Sequence, residues 1–384
     1  MSSGLDIVFV GLSITSSWGN GHATTYRGLV RELAARGHRI RFLERDQPWY
    51  AAHRDMPAPG GAETHIYSSL DELFIDHGPA VRGADVVIVG SYVPDGVAVG
   101  EWVSDTATGI AAFYDIDTPV TLAKLRAGDT QYLSSELVRR YDLYLSFTGG
   151  PTLDVIEREF GSPYARPLYC SVDHTQYHPE DGPERWALGY LGTYSDDRQP
   201  ALERLLIEPA RTCGMLRFAV AGPQYPAAIT WPPNVERIEH LAPSDHRWFY
   251  NSQRFTLNVT RAAMVEAGYS PSVRLFESAA CGTPAITDFW PGLDAFFAID
   301  EEIVVAHDAH DVVKALRAMR AVEVEQIGRA ARERVLRSHT AAHRAAELEG
   351  YLVDLLGADV SGTVIADEAQ QATDGPGLPY PGAP

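Results

Sequence analysis

The sequence predicts an α/β protein of two doubly wound parallel domains facing a cleft, on three observations. Short continuous apolar runs of strand length recur along the chain, the pattern of parallel strands buried on both faces. Segments with helical apolar spacing separate most of them, so strand and helix alternate. The alternation pauses at SVDHTQYHPEDGPER, residues 171–185, which is polar and without period, and then begins again. A chain of 384 residues is long enough for two domains, each with its own core.

In the first half, residues 1–170, Ile7–Val10 reads as the opening strand, followed by the glycine-bearing loop GLSITSSWGNGH. Tyr26, Leu29, Val30 and Leu33 then fall at i, i+3, i+4 and i+7, an amphipathic helix closed by Gly37. Further strands are expected at Ile40–Leu43, DVVIV, IAAFY and LYLSF. The second half, residues 186–337, repeats the plan with strands at WALGYLG, LRFAVAG, VERIEH, FTLNVT, PAIT and EIVVA. Helices are expected from Gln199, near Asp245, around Leu275 and over 308–336. Residues 338–357 form a last helix with Ala341, Ala345, Leu348, Leu352 and Leu355 at 4-3-4-3 spacing. It is expected to stop at Gly357 and to pack back on the first domain. Residues 358–384 carry acids, no Lys or Arg, and a proline-rich end, so a disordered tail is expected. Two Rossmann-like halves of this kind bind ligands outside the carboxyl ends of their strands.

Charge narrows the function. Lys+Arg number 32 against 51 Asp+Glu, a formal net charge of −19. That balance argues against nucleic acid as a partner, since its binders carry basic patches. Three scattered cysteines, Cys170, Cys213 and Cys281, give neither a disulfide framework nor a zinc site. The opening MSSGLDIVFVGL has no basic n-region, and no apolar run reaches bilayer length. A cytoplasmic location is therefore expected.

Four constellations could carry chemistry. In SSWGNGH, Gly19 and Gly21 let backbone approach a ligand at a helix N-terminus, with His22 at its mouth as base or donor. The glycine spacing is not that of a dinucleotide site, and a tight turn with an exposed histidine is the alternative. Asp115 and Asp117, in FYDIDTP just past a strand, could share a metal, bind acceptor hydroxyls or cap the next helix. Arg198, after GYLGTYSDD, could fork onto a diphosphate or pair with Asp196 or Asp197. The strongest signal is SPSVRLFESAACGTPAITD, with Ser270 and Ser272 as caps of a helix from Val273. Arg274 adds charge at that helix N-terminus, and Glu277, one turn deeper, could accept both hydroxyls of a ribose. The alternative there is an Arg274–Glu277 surface pair on a structural helix. Cys281 lies on the same face and reads as packing rather than as a nucleophile.

At these residues the chain resembles glycosyltransferases of the two-Rossmann-domain GT-B fold, and within them the CgeB-like spore-maturation group. The resemblance is carried by GLSITSSWGNGHATTYRGLVREL, RFLERDQPWYAAHRD, FYDIDTPVTL, LGTYSDDRQP, LNVTR and GYSPSVRLFESAACGTPAITDFWPGLDAFF, and runs to residue 357. It implies a nucleoside-diphosphate sugar as co-substrate, held by the second domain, and an unidentified acceptor on the first. Gly192, Arg198, Arg261, Ser270, Ser272, Val273, Arg274 and Glu277 are then the donor-binding set. Trp18, Gly19, Asn20, Gly21 and Asp115 are the acceptor-binding set, with His22 and Asp117 catalytic and no metal or other cofactor required. Many retaining members carry a second glutamate eight residues before the one matched by Glu277; here that position is Tyr269, and Glu266 is the nearest acid. The expected function is metal-independent, retaining transfer of a sugar. A nucleotide-sugar epimerase and a non-catalytic nucleotide-sugar-binding protein are the alternatives.

Overall fold

A computed structural model describes residues 4–18 and 21–371, and beyond Gly357 the backbone path alone. Two sheets are present, both wholly parallel. The first contains β1 (Asp6–Gly11), β2 (Arg39–Arg45), β3 (Glu63–Tyr67), β4 (Val86–Gly90), β5 (Ile110–Asp115), β6 (Leu143–Ser146) and β7 (Ala165–Pro167). Their order in space is β3-β2-β1-β4-β5-β6-β7. The second contains β8 (Trp186–Leu191), β9 (Phe218–Ala221), β10 (Val235–Ile238), β11 (Gln253–Asn258), β12 (Ala285–Thr287) and β13 (Val304–Val305), ordered β10-β9-β8-β11-β12-β13. Each order reverses once, between β1 and β4 and between β8 and β11, and a crevice opens at the carboxyl ends where it does.

Helices on both faces explain the apolar runs. β4 and β8 are buried at every residue, as strands covered from two sides must be. The first helix, α1 (Gly21–Ala35), buries Tyr26, Leu29, Val30 and Leu33 as its spacing predicts, and Gly37 beyond it takes a left-handed φ of 96°. Two strands escaped the sequence reading. β3 is an edge strand with only Tyr67 fully buried, and β7 has three residues, so neither shows an apolar run.

The chain crosses between the two sheets twice, and the crossings lie side by side. Val172 N–H donates to the His339 carbonyl at 3.1 Å, and Ala341 N–H to the Val172 carbonyl at 3.3 Å. Residues 171–185 are polar but anchored: Asp173 is buried and meets Arg31 of α1 at 2.6 Å, and Tyr177 sits in the second-sheet core. The last helix, Ala341–Gln371, lies on the first sheet, with Ala345, Leu348 and Leu352 in one cluster with Ile7, Phe9, Tyr26 and Leu29. It runs past Gly357, where the sequence reading placed its end, because Gly357 does not adopt the left-handed backbone that closes a helix. Of the expected disordered tail, residues 372–384 lie outside the described residues.

Candidate active site

Loops from both sheets meet at the crevice. On the first-sheet side, the loop after β1 is set by Glu44 at the end of β2. Glu44 is fully buried and accepts from Ile14 N–H at 2.7 Å, Thr15 N–H at 3.0 Å, and the Ser13 and Thr15 hydroxyls at 3.0 and 2.6 Å. Arg27 of α1 holds the same loop through the Ile14 carbonyl at 2.8 Å and clamps Asp55 with both terminal nitrogens at 2.9 Å. This network ties the loop after β1 to β2 and to α1, the helix that carries His22.

His22 packs edge-on to Tyr92, ring centroids 5.6 Å apart, and burial lowers its imidazole to about 4, so it is neutral at pH 7. Tyr92, in the loop after β4, has a φ of 62° and donates its hydroxyl to Asp117 at 3.1 Å. Such a backbone is strained for a tyrosine and is held by its surroundings. Asp117 begins the helix Thr118–Arg126 without its side chain capping it; burial raises its carboxyl, offset in part by Arg261 at 3.8 Å across the crevice. Asp115 lies beneath, wholly enclosed. It accepts from Tyr144 at 2.5 Å and from Thr121 at 2.8 Å, and burial pushes its carboxyl up to about 6. Its partners are all internal, so it supports the Asp117 loop from below. Among the described residues no group of three His, Cys, Asp or Glu could hold a metal ion.

On the second-sheet side, the helix Val273–Ala280 begins at Ser272, whose hydroxyl accepts from Arg274 N–H at 3.3 Å. Ser270 is not the cap: its hydroxyl pairs with Thr148 of the first domain at 2.8 Å. Val273 is half-buried at the first turn. Glu277 is 3 % exposed, and its Oε2 accepts from Arg274 at 2.8 Å and from Tyr250 at 3.0 Å. Burial alone would raise this carboxyl, but Arg274 and His246 hold it below the usual range. Glu277 is buried, so the pair is part of an internal network and not a surface bridge. Arg274 also meets His246 Nδ1 at 3.3 Å, and burial first, then Arg274, lowers His246 to about 4.

Close backbone approach shapes the remaining wall. Gly192 follows β8, and Gly222 follows β9 with a φ of 141°; a Cβ on Gly222 would collide with the Gly192 carbonyl. Arg198 folds over this turn, its Nη2 donating to the Thr193 carbonyl at 2.7 Å, while its buried Nε has no partner among the described residues. Burial raises the Tyr190 hydroxyl, and the charges of Arg198 and Arg274 each oppose that rise.

The structure therefore brings His22 and Asp117 to one crevice lip, and Gly192, Arg198, Arg261, Arg274 and Glu277 to the other, with Arg261 reaching across to Asp117. Trp18 stacks on His53, and Gly21 opens α1. Gly19 and Asn20 lie outside the described residues. Tyr92, Glu44, His246 and Tyr250 were missed. Only Tyr92 left a signal, a polar group just after the DVVIV strand on the edge that already held Asp117.

Two parallel α/β domains of this order constitute the GT-B architecture. The Glycosyl transferase-like family model matches residues 198–350. Among curated proteins none matches the sequence. Similar solved structures include the sucrose-phosphate synthase of Thermosynechococcus elongatus, 14 % identical with a TM-score of 0.64 over 92 % of this chain and 100 % of that one. HepE of Anabaena in complex with UDP-glucose is 11 % identical with a TM-score of 0.67 over 91 % and 100 %. An alpha-glucosyltransferase in complex with UDP-glucose and DNA containing an abasic site is 13 % identical with a TM-score of 0.66 over 91 % and 100 %. At these identities the likeness is one of fold.

Proposed function

We propose that the protein is a glycosyltransferase that moves a sugar from a nucleoside-diphosphate sugar to an acceptor held on the first domain. The observation that carries the reading is the division of the crevice. One lip offers cations and a helix N-terminus for a diphosphate, and the other offers a neutral imidazole and a carboxylate for an acceptor hydroxyl. In the transfer the acceptor oxygen bonds to the anomeric carbon as the bond from that carbon to the diphosphate oxygen breaks. The electron pair leaves with the diphosphate, and the hydroxyl proton passes to the first-domain lip, where His22 and Asp117 stand. Charge develops on the leaving group, and Arg198, Arg274 and the Val273 N-terminus would stabilise it without a metal. In this reading Glu277, one turn into that helix, accepts the ribose hydroxyls.

The complexes of fold neighbours with UDP-glucose make UDP-glucose the first donor to test. Retention of configuration belongs to the proposal, as do membership of the CgeB-like group and a cytoplasmic site of action. No helix among the described residues is long and apolar enough to cross a membrane. The test is calorimetry with UDP and UDP-glucose, followed by product analysis with and without acceptor and with chelator. Binding of neither ligand refutes the reading. A changed sugar with no acceptor present makes the protein an epimerase, and turnover lost to chelator overturns metal independence.

A further inference from the structure

The two most exposed tryptophans, Trp18 at 50 % and Trp49 at 51 %, lie on adjoining loops at the carboxyl edge of the first sheet. Trp18 is four residues before His22. Trp49 is in the one-turn helix Pro48–Ala51 after β2. The loops are joined: Ser16 Oγ donates to the His53 carbonyl at 2.7 Å, and Met56 N–H to the Thr15 carbonyl at 3.1 Å. The Trp18 indole lies nearly parallel on the His53 ring, 4.5 Å between centroids and 15° between planes, and His53 Nδ1 is 2.9 Å from the Trp49 carbonyl. One indole face is thus backed and ordered, while half of the residue's surface remains in water.

The charges around these rings are paired. Arg27 is taken by Asp55, Arg54 by Asp46 at 2.5 Å, and Arg45 by Asp95 at 3.5 Å. A polyanion needs cations to spare, and this surface presents none of these three unpaired. An acyl chain needs continuous apolar area, and here charged groups interrupt it. A neutral sugar ring presents an apolar C–H face rimmed by hydroxyls, which fits flat rings set among fixed hydrogen-bonding groups. We propose that Trp18, His53 and Trp49 form a subsite for a neutral carbohydrate, with Asp46, Arg54 and Asp55 meeting its hydroxyls. That this carbohydrate is the acceptor rests on the transferase reading; that the surface binds it does not.

The test uses the full chain without donor. Maltotriose, cellotriose and triacetylchitotriose are titrated against tryptophan emission, with short duplex DNA and phosphatidylglycerol vesicles as competing probes. At least one trisaccharide should bind and shift the emission. Trp18→Ala and Trp49→Ala should each weaken that binding by about tenfold or more, with UDP affinity and melting temperature preserved. Trp18→Phe should recover part of it. No trisaccharide binding, binding indifferent to both alanine variants, or capture of DNA or vesicles instead overturns the proposal. UDP-glucose turnover is followed in parallel: its absence with trisaccharide binding intact defeats only the transferase reading.

Discussion

The two lips of the crevice solve opposite electrostatic problems. On the second sheet, charge is kept: Glu277 is ionised because Arg274 lies against it, and the cost of burying one charge is met by the other. On the first sheet, charge is disfavoured and lacks so close a partner: burial drives His22 down to about 4, Asp115 up to about 6, and Asp117 upward. A lip of fixed ions holds an anion through a reaction. A lip of groups poised to change protonation handles a proton. The same desolvation gives both, and the presence or absence of a partner decides which.

Removing His22 should break that contrast most. His22→Ala should lower kcat by about 10²- to 10⁴-fold while donor affinity measured by calorimetry changes little. Equal losses in both would place His22 in ground-state binding. Next comes the ionic lip. Glu277→Gln should weaken UDP binding by roughly 10- to 150-fold, the worth of hydrogen bonds to a charged group. Arg198→Ala should weaken UDP similarly yet spare uridine, and Arg198→Lys should recover only part, since a point charge lacks the guanidinium fork. UDP bound like wild type by the Glu277 variant would make its helix purely structural.

The pH dependence sharpens the comparison through stability. His22 and His246 titrate at about 4 and His339 at about 3 in the fold, against 6.5 when unfolded. Between those values the unfolded chain holds more protons, so their contribution is whole above pH 6.5 and is lost as pH falls towards 4. Asp115 works the other way, since its raised pKa favours the fold as pH drops from 6 to 3.8. Three imidazoles against this carboxyl should leave a net fall, read as a melting temperature that declines between about pH 6.5 and 4.5. A flat profile there would show that the imidazoles are solvated. Smallest of all, ending the chain after Gly357 should leave melting and UDP binding unchanged, because the described core contacts of the last helix end at Leu355 and Leu356.

Much of this was readable from the chain. Buried parallel strands announce themselves because both faces need apolar residues, which is why β4, β5 and β8 were evident and the half-exposed edge β3 was not. The helix carrying Arg274 and Glu277 was legible because its cap, apolar face and stop lie within a dozen residues. Glu44 and Tyr92 were not, since their importance comes from partners 29 to 31 and 25 residues away. Asp115 shows the converse case: two acids two apart suggested one shared surface, yet β5 ends at the enclosed Asp115, and the chain has left the strand by Asp117, which starts the next helix and meets Tyr92.

The last helix also governs how the molecule is made. Ala345, Leu348 and Leu352 complete a core begun by Ile7 and Phe9, so the first domain cannot close until nearly the whole chain has left the ribosome. The second domain, contiguous in sequence, is free to fold first and to bring the two crossings together. A fragment ending at residue 170 lacks those side chains and exposes the surface they cover. Expressed alone it should aggregate, and adding residues 338–357 in trans should return it to solution.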